Sequence, residues 1–222
     1  MASYLITGGS GLIGSALIER LLKDENQVSV LTRTPQKTSK NLPAGIKLIQ
    51  RFQQLPVDYP IDYVINLAGE PIADKRWSQS QKQQLWDSRI TLTDDLIAWL
   101  KLQKKLPKAL ISGSAVGWYG DTQDRILTEN SSATSEYTHT LCQAWERSAS
   151  EIADLGVRVC IVRTGLVVSD RGGFLAKLLL PFKLGLGARL GNGCQYMSWI
   201  HIEDMLRALI FLIDDQQAID TG

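Results

Sequence analysis

Tyr4-Leu5-Ile6-Thr7-Gly8-Gly9-Ser10-Gly11-Leu12-Ile13-Gly14-Ser15 decides the fold. A short apolar run containing a β-branched residue breaks at Thr7 into a glycine turn. A helical pattern follows, with Leu12, Ile13, Ala16, Leu17, Leu21 and Leu22 mostly on one face. Gly9, Gly11 and Gly14 satisfy G-x-G-x-x-G, and Gly8, Gly11 and Gly14 give G-x-x-G-x-x-G, in the strand–turn–helix context that gives such a motif meaning. Each glycine answers a steric demand: a tight turn, close approach of main chain to a pyrophosphate, and packing of helix on strand. The helix N-terminus adds unpaired N–H groups facing the anion. Gly8, Gly9, Ser10, Gly11, Leu12, Ile13 and Gly14 are therefore the expected dinucleotide-binding residues.

Outward from this stretch, Val28-Ser29-Val30-Leu31 reads as a second strand ending at Thr32-Arg33-Thr34-Pro35. An acidic residue here would hold the adenosine ribose hydroxyls of NAD, whereas an arginine accommodates the 2′-phosphate of NADP. Arg33, with Thr34 beside it and Lys37 nearby, makes NADP(H) rather than NAD(H) the expected cofactor. Residues 46–49 form a third strand, and Tyr63-Val64-Ile65-Asn66-Leu67-Ala68-Gly69 a fourth whose end carries small residues. Ligands of an open parallel sheet sit outside the carboxyl ends of its strands, so Ala68 and Gly69 leave room for cofactor.

A long helical pattern spans 80–106, its tryptophans read as packing, and Pro107 stops it. A fifth strand over 108–112 opens into Gly113, Ser114 and Ala115. A helix over 136–155 ends at Gly156, placed as a C-terminal glycine cap, and a sixth strand covers 157–164. Beyond Gly165 the alternation loosens: an apolar helix runs from Gly172-Gly173 to Leu184, Gly185, Gly187, Gly191 and Gly193 mark turns around Ala188-Arg189-Leu190, residues 196–200 read as a short strand, and an amphipathic helix covers 201–214. For the last residues, 218–222, the pattern predicts no element. Strands alternating with helices imply a doubly wound parallel sheet.

The 222 residues allow one large or two small domains, and 44% hydrophobic with 21% charged residues is ordinary for a globular protein. A net charge of +1 gives no general pull toward nucleic acid or anionic membrane. No apolar stretch approaches the roughly 20 residues a membrane span needs, and the chain enters its first strand without a signal-like segment. Cys142, Cys160 and Cys194 are scattered, which favours reduced thiols and a cytoplasmic protein, or an organelle stroma if a transit segment was removed. With only His139 and His201, a histidine-rich metal site is not expected.

The chain resembles the extended short-chain dehydrogenases/reductases, the NAD-dependent epimerase/dehydratase-like group. The matching pieces are Thr7-Gly8-Gly9-Ser10-Gly11-Leu12-Ile13-Gly14, Asn66-Leu67-Ala68-Gly69, the serine loop after the fifth strand and Arg163-Thr164-Gly165. By Asn66-Leu67-Ala68-Gly69-Glu70, Ser88-Arg89, Ser112-Gly113-Ser114-Ala115-Val116-Gly117-Trp118-Tyr119-Gly120, Trp145-Glu146 and Ser198-Trp199-Ile200-His201 it is most similar, within that group, to an epimerase-like branch of NADP-dependent oxidoreductases, some of whose members are labelled cell-division-inhibitor-like. The resemblance implies a Rossmann-type doubly wound sheet over 1–165 binding NADP(H), and a small, truncated C-terminal substrate region over 166–222. It adds Leu67 and Glu70 to the cofactor residues and matches Ser114 to the family's catalytic serine. It also implies a face for His201 on the substrate side.

Redox members of the group pair a tyrosine with a lysine four residues later, the lysine lowering the tyrosine pKa so that it can act as a base. Counted back from Glu146, the tyrosine position falls on Thr138 and the lysine position on Cys142. Tyr137 lies one residue off register, about 100° around the helix, and is the weaker catalytic candidate beside Ser114. Arg89 stands where many relatives carry an asparagine. Two functions follow: an NADP(H)-dependent oxidoreductase or epimerase-like enzyme acting on a small substrate, or an NADP(H)-binding regulator with a protein partner, linked to cell or organelle division. A homodimer is compatible with either, and a structural module without nucleotide is a third, weaker reading.

Overall fold

The computed structural model describes residues 1–189 and 191–215; the expected turn at Leu190 and the terminal 218–222 lie outside the described residues. Six parallel strands, β1 (Ser3–Thr7), β2 (Gln27–Leu31), β3 (Lys47–Ile49), β4 (Tyr63–Asn66), β5 (Ala109–Ala115) and β6 (Arg158–Thr164), form one sheet in the order β3-β2-β1-β4-β5-β6. The helices are α1 (Leu12–Lys23), α2 (Pro35–Asn41), α3 (Gln79–Trp86), α4 (Leu92–Leu100), α5 (Tyr137–Ser150), α6 (Gly173–Lys183) and α7 (Ile202–Asp214). This is the Rossmann-type doubly wound fold. The strand order reverses between β1 and β4, and ligands bind in the crevice that such a reversal opens.

Period-two alternation divides neighbouring strand residues between two cores. Ile6, Ile65 and Ile111 face one side with Leu17 and Ile18 of α1 and Met205 and Leu209 of α7. Leu5, Val64 and Leu110 face the other with Leu96 and Ile97 of α4 and Ala149 of α5. Burial on both faces is why the central strands are continuous apolar runs rather than alternating ones. Each fully buried Leu or Ile contributes about 1.5–3 kcal/mol.

Several elements differ from the sequence expectation. The helix over 80–106 is interrupted by a π-turn, Asp87–Thr91, and ends at Leu100, because the Lys104 N–H leaves the helix to donate to the Val57 carbonyl at 3.1 Å. Polar α2 carries no apolar period but starts on Pro35, whose fixed φ suits a first helical turn. After Gly165 the chain forms a separate two-stranded parallel sheet, β7 (Leu166–Ser169) with β8 (Trp199–His201). A Cβ on Gly165 would lie 2.6 Å from the Ser198 carbonyl oxygen, so the glycine admits that crossing. The helix expected over 136–155 ends at Ser150, and Gly156, left-handed at φ +83°, closes a separate 3-10 turn, Ala153–Leu155. Among the described residues no helix is long and apolar enough to cross a membrane.

Candidate functional site

The crevice begins at the glycine turn between β1 and α1. Gly8 has φ +70°, and a Cβ there would lie 2.5 Å from the Leu67 carbonyl carbon. A Cβ on Gly14 would lie 2.4 Å from the Gly8 oxygen, and one on Gly9 2.7 Å from Val30 Cγ1. Gly11 differs: its Cβ would meet only the Gly8 oxygen, at 3.2 Å, so its space opens outward. The Gly11 N–H donates to the Gly8 carbonyl at 3.0 Å and closes the turn. Gly11 caps α1 without a side-chain hydrogen bond and no acidic residue occupies the first turn, so the N–H groups of Leu12, Ile13 and Gly14 are offered to an anion. Ser10 and Gly11 are exposed and Leu12 and Ile13 half-buried. Bare main chain, an uncapped helix start and an open side together fit a pyrophosphate.

A buried polar network sets the strand exits above this turn. The Thr7 hydroxyl donates to Asn66 Oδ1 at 2.6 Å, and Asn66 Nδ2 donates to Thr93 Oγ1 at 2.8 Å and Ser112 Oγ at 3.2 Å. The Thr93 hydroxyl donates to the Arg89 carbonyl at 2.6 Å, inside the π-turn. All four side chains are fully buried, so each group must find its partner within the protein. The Ala68 N–H donates back to Thr7 Oγ1 at 3.2 Å, and Leu67, Ala68 and Gly69 thereby leave β4 along the crevice. Asn66 is visible in sequence only as a family mark; its place as hub of three strands and a helix appears only once they are assembled.

Arg89 holds the next step of that loop. Its Nη2 donates to the Glu70 carbonyl at 3.0 Å, while the Glu70 N–H donates to Ser88 Oγ at 2.9 Å. A Cβ on Gly69 would lie 2.9 Å from the guanidinium carbon, and the guanidinium lies 5.4 Å from the centre of the Trp145 ring. Burial pulls the Arg89 pKa down, opposed by Cys142, Tyr137 and Glu70. Arg89 is thus a positioning residue for Gly69 and Glu70.

Ser114, at the exit of β5, is buried, and its hydroxyl lies 2.5 Å from Glu146 Oε1. Arg163 grips the same carboxylate twice, Nε to Oε1 at 2.9 Å and Nη2 to Oε2 at 2.8 Å. A carboxylate so paired is acceptor-only, so the serine proton is committed to it and the serine oxygen remains as an acceptor. Arg163 also lies 3.9 Å above the Trp118 ring and donates to the Tyr119 hydroxyl at 3.1 Å. The bond to Glu146 is the main reason its pKa is raised.

The first turn of α5 holds no tyrosine–lysine pair. Thr138 abuts Gly117, whose Cβ would lie 3.2 Å from Thr138 Cβ. Cys142 is buried, its thiol pushed up by burial, and donates to the Ala115 carbonyl at 3.8 Å. The Tyr137 hydroxyl donates to the Lys82 carbonyl at 3.0 Å, and its ring packs with Leu85, Leu141 and Trp145. Burial raises its pKa and Arg89 opposes the rise. His139 donates from Nδ1 to the Trp118 carbonyl at 2.7 Å. His201 caps α7, accepting the Glu203 N–H at 3.3 Å. At the other end of the crevice the Arg33 side chain is 90% exposed, with Nη2 3.9 Å from Glu70 Oε2. Thr34 caps α2, its carbonyl accepting the Thr38 N–H at 2.9 Å.

Sheet order, glycine cradle and strand-end network define the class: a Rossmann-type α/β protein of the extended short-chain dehydrogenase/reductase kind. The chain belongs to the NAD dependent epimerase/dehydratase family, whose sequence model matches residues 4–222. It is 37% identical over 219 residues to an epimerase family protein of Staphylococcus aureus, covering 98% of this chain and 73% of that protein. To an epimerase family protein of Mycobacterium bovis it is 43% identical over 212 residues, covering 96% and 69%. The human epimerase family protein SDR39U1 (isoform 2), solved with NADPH, superposes with a TM-score of 0.85 at 28% identity, covering 98% of this chain and 72% of that one. UDP-glucuronic acid 4-epimerase from Bacillus cereus, at 19% identity and a TM-score of 0.80, shares the fold.

Proposed function

We propose that the chain binds NADP(H) and acts as an oxidoreductase or epimerase-like enzyme on a small substrate. The observation that carries this is the cradle of Gly8, Gly9, Ser10, Gly11, Leu12, Ile13 and Gly14, bordered by Leu67, Ala68, Gly69 and Glu70. Arg33 at the exit of β2 supports NADP(H) over NAD(H), as does the NADPH named with the human relative. A bound nicotinamide dinucleotide would supply hydride chemistry, while Ser114, its proton held by Glu146, would accept a hydrogen bond from a substrate hydroxyl. On this reading residues 1–165 bind cofactor and 166–222 contribute to the substrate region. Cys142, Cys160 and Cys194, none of them in a disulfide, fit a cytoplasmic setting. Stopped-flow absorbance of bound NADPH against a panel of sugars, aldehydes and quinones tests the reading; oxidation by one substrate class supports it.

A second reading, an NADP(H)-binding regulator with little turnover, is favoured by Thr138 and Cys142 at the tyrosine and lysine positions and by the engaged Tyr137 hydroxyl. NADPH binding with silence across the panel, together with a protein partner retained in pull-downs, would favour it. A homodimer or a regulatory partner belongs to the same reading.

A further inference from the structure

Two cations from different strand exits meet one carboxylate. Arg33, beyond β2, places Nη2 3.9 Å from Glu70 Oε2; Lys75, in the loop beyond β4, donates from Nζ to Glu70 Oε1 at 3.2 Å. Each oxygen of the carboxylate thus faces its own cation. The Glu70 side chain is 20% exposed, against 90% for Arg33 and 56% for Lys75. Links with partners this exposed add little to folding, so stability does not explain why the three charges converge.

Main-chain anchoring does suggest a purpose. The Glu70 backbone is held by Ser88 and Arg89, as described above. The Arg33 carbonyl accepts Gln50 Nε2 at 3.4 Å, and the next N–H, of Thr34, donates to Thr32 Oγ1 at 3.3 Å. The ends of the Arg33 and Glu70 side chains can therefore rearrange while their backbones stay in place. A phosphate monoester has three terminal oxygens and nearly twice the charge of a carboxylate, and both arginine and lysine bind it strongly.

We propose that Glu70 is a placeholder for the 2′-phosphate of NADP(H), and that Lys75 is the second cation which, with Arg33, receives it. The proposal rests on the reading that a dinucleotide occupies the glycine cradle. When the phosphate arrives, Arg33 and Lys75 pass from the carboxylate to the dianion and Glu70 turns away, since two anions repel between the same cations. NADH brings no phosphate and leaves the triad intact. Selectivity is then a difference between an attraction, from Arg33 and Lys75, and a built-in repulsion, from Glu70.

Calorimetric titration of the purified chain with NADPH, NADH and 2′,5′-ADP tests this in the wild type and in Lys75→Gln, Glu70→Gln, Arg33→Gln and Lys37→Gln. Lys75→Gln should weaken NADPH and 2′,5′-ADP about fivefold, the size of one partly exposed charge contact, and leave NADH within about twofold. Glu70→Gln should tighten NADPH about threefold without changing NADH. An unchanged NADPH affinity in Lys75→Gln, an equal loss for both dinucleotides, or a loss carried by Lys37→Gln instead would overturn the assignment of Lys75. Weaker NADPH binding in Glu70→Gln would overturn the placeholder. If neither dinucleotide binds the wild type, the cofactor reading itself fails, which selective binding with unaltered Lys75 behaviour would not imply.

Discussion

Gly8 and Gly11 sit three residues apart and answer different demands. Gly8→Ala would force a side chain into the left-handed region and put its Cβ 2.5 Å from the Leu67 carbonyl. We expect it to lower the unfolding free energy by about 2–3 kcal/mol in urea titrations. Gly11→Ala meets only the Gly8 oxygen at 3.2 Å, so it should cost under about 1 kcal/mol of stability. Its methyl would project toward the open side of the turn, so calorimetry should show NADPH affinity reduced at least about tenfold. A Gly11→Ala protein that binds normally would remove the pyrophosphate from this turn. Tyr4 gives a residue-scale pH prediction. Burial raises its phenol to about 12, with Tyr63 and nearby aspartates adding to the rise. Below the unfolded value near 10.0 both states keep the proton and its contribution is fully present. Above it the unfolded chain ionises first, so stability falls as pH climbs toward 12. Urea midpoints should fall by the equivalent of about 2 kcal/mol across that interval, and Tyr4→Phe should flatten the fall.

At the scale of elements, the π-turn and the strand exits are tied by one hydroxyl. Thr93 accepts from Asn66 and donates to the Arg89 carbonyl inside the turn. Thr93→Val keeps the shape and removes both bonds, leaving a buried amide hydrogen and a buried carbonyl short of partners. A loss of about 2–4 kcal/mol is expected in denaturant unfolding. Hydrogen exchange should quicken at Ala68 to Glu70, whose path depends on this network. No apolar period announces such an interruption, because 80–100 looks equally helical either way. The choice lies with buried groups from β1, β4 and β5. Residues 35–41 failed to announce α2 for the opposite reason: an exposed polar helix has no periodicity to read. In α5 the sequence itself carries Thr138 and Cys142 at the positions of the pair, but it does not say where Tyr137 goes. Its hydroxyl finds the Lys82 carbonyl, a partner 55 residues away in sequence.

For the whole molecule, ligand linkage offers the broadest check. A dinucleotide that binds only the folded chain adds about 2.7 kcal/mol at a hundredfold excess over its dissociation constant. For a chain of 222 residues that corresponds to a rise in Tm of roughly 5–10 °C, readable by scanning calorimetry. NADPH should give the larger rise at equal concentration, and no shift with either dinucleotide would sink the cofactor reading. Much of the architecture follows from local rules. Glycine is demanded by backbone geometry, apolar runs by burial on both sheet faces, and parallel order by alternation of strand and helix, so the amino-acid sequence alone determined the sheet, the cradle and Arg33 at the end of β2. Tertiary structure decided what no local rule encodes. It made Asn66 a hub, committed the Ser114 proton to a carboxylate locked by Arg163, and brought Lys75 and Arg33 onto Glu70. Apart from Lys75 and Glu70, which are neighbours in one loop, these are contacts between separate segments of the chain, and only packing sets their distances.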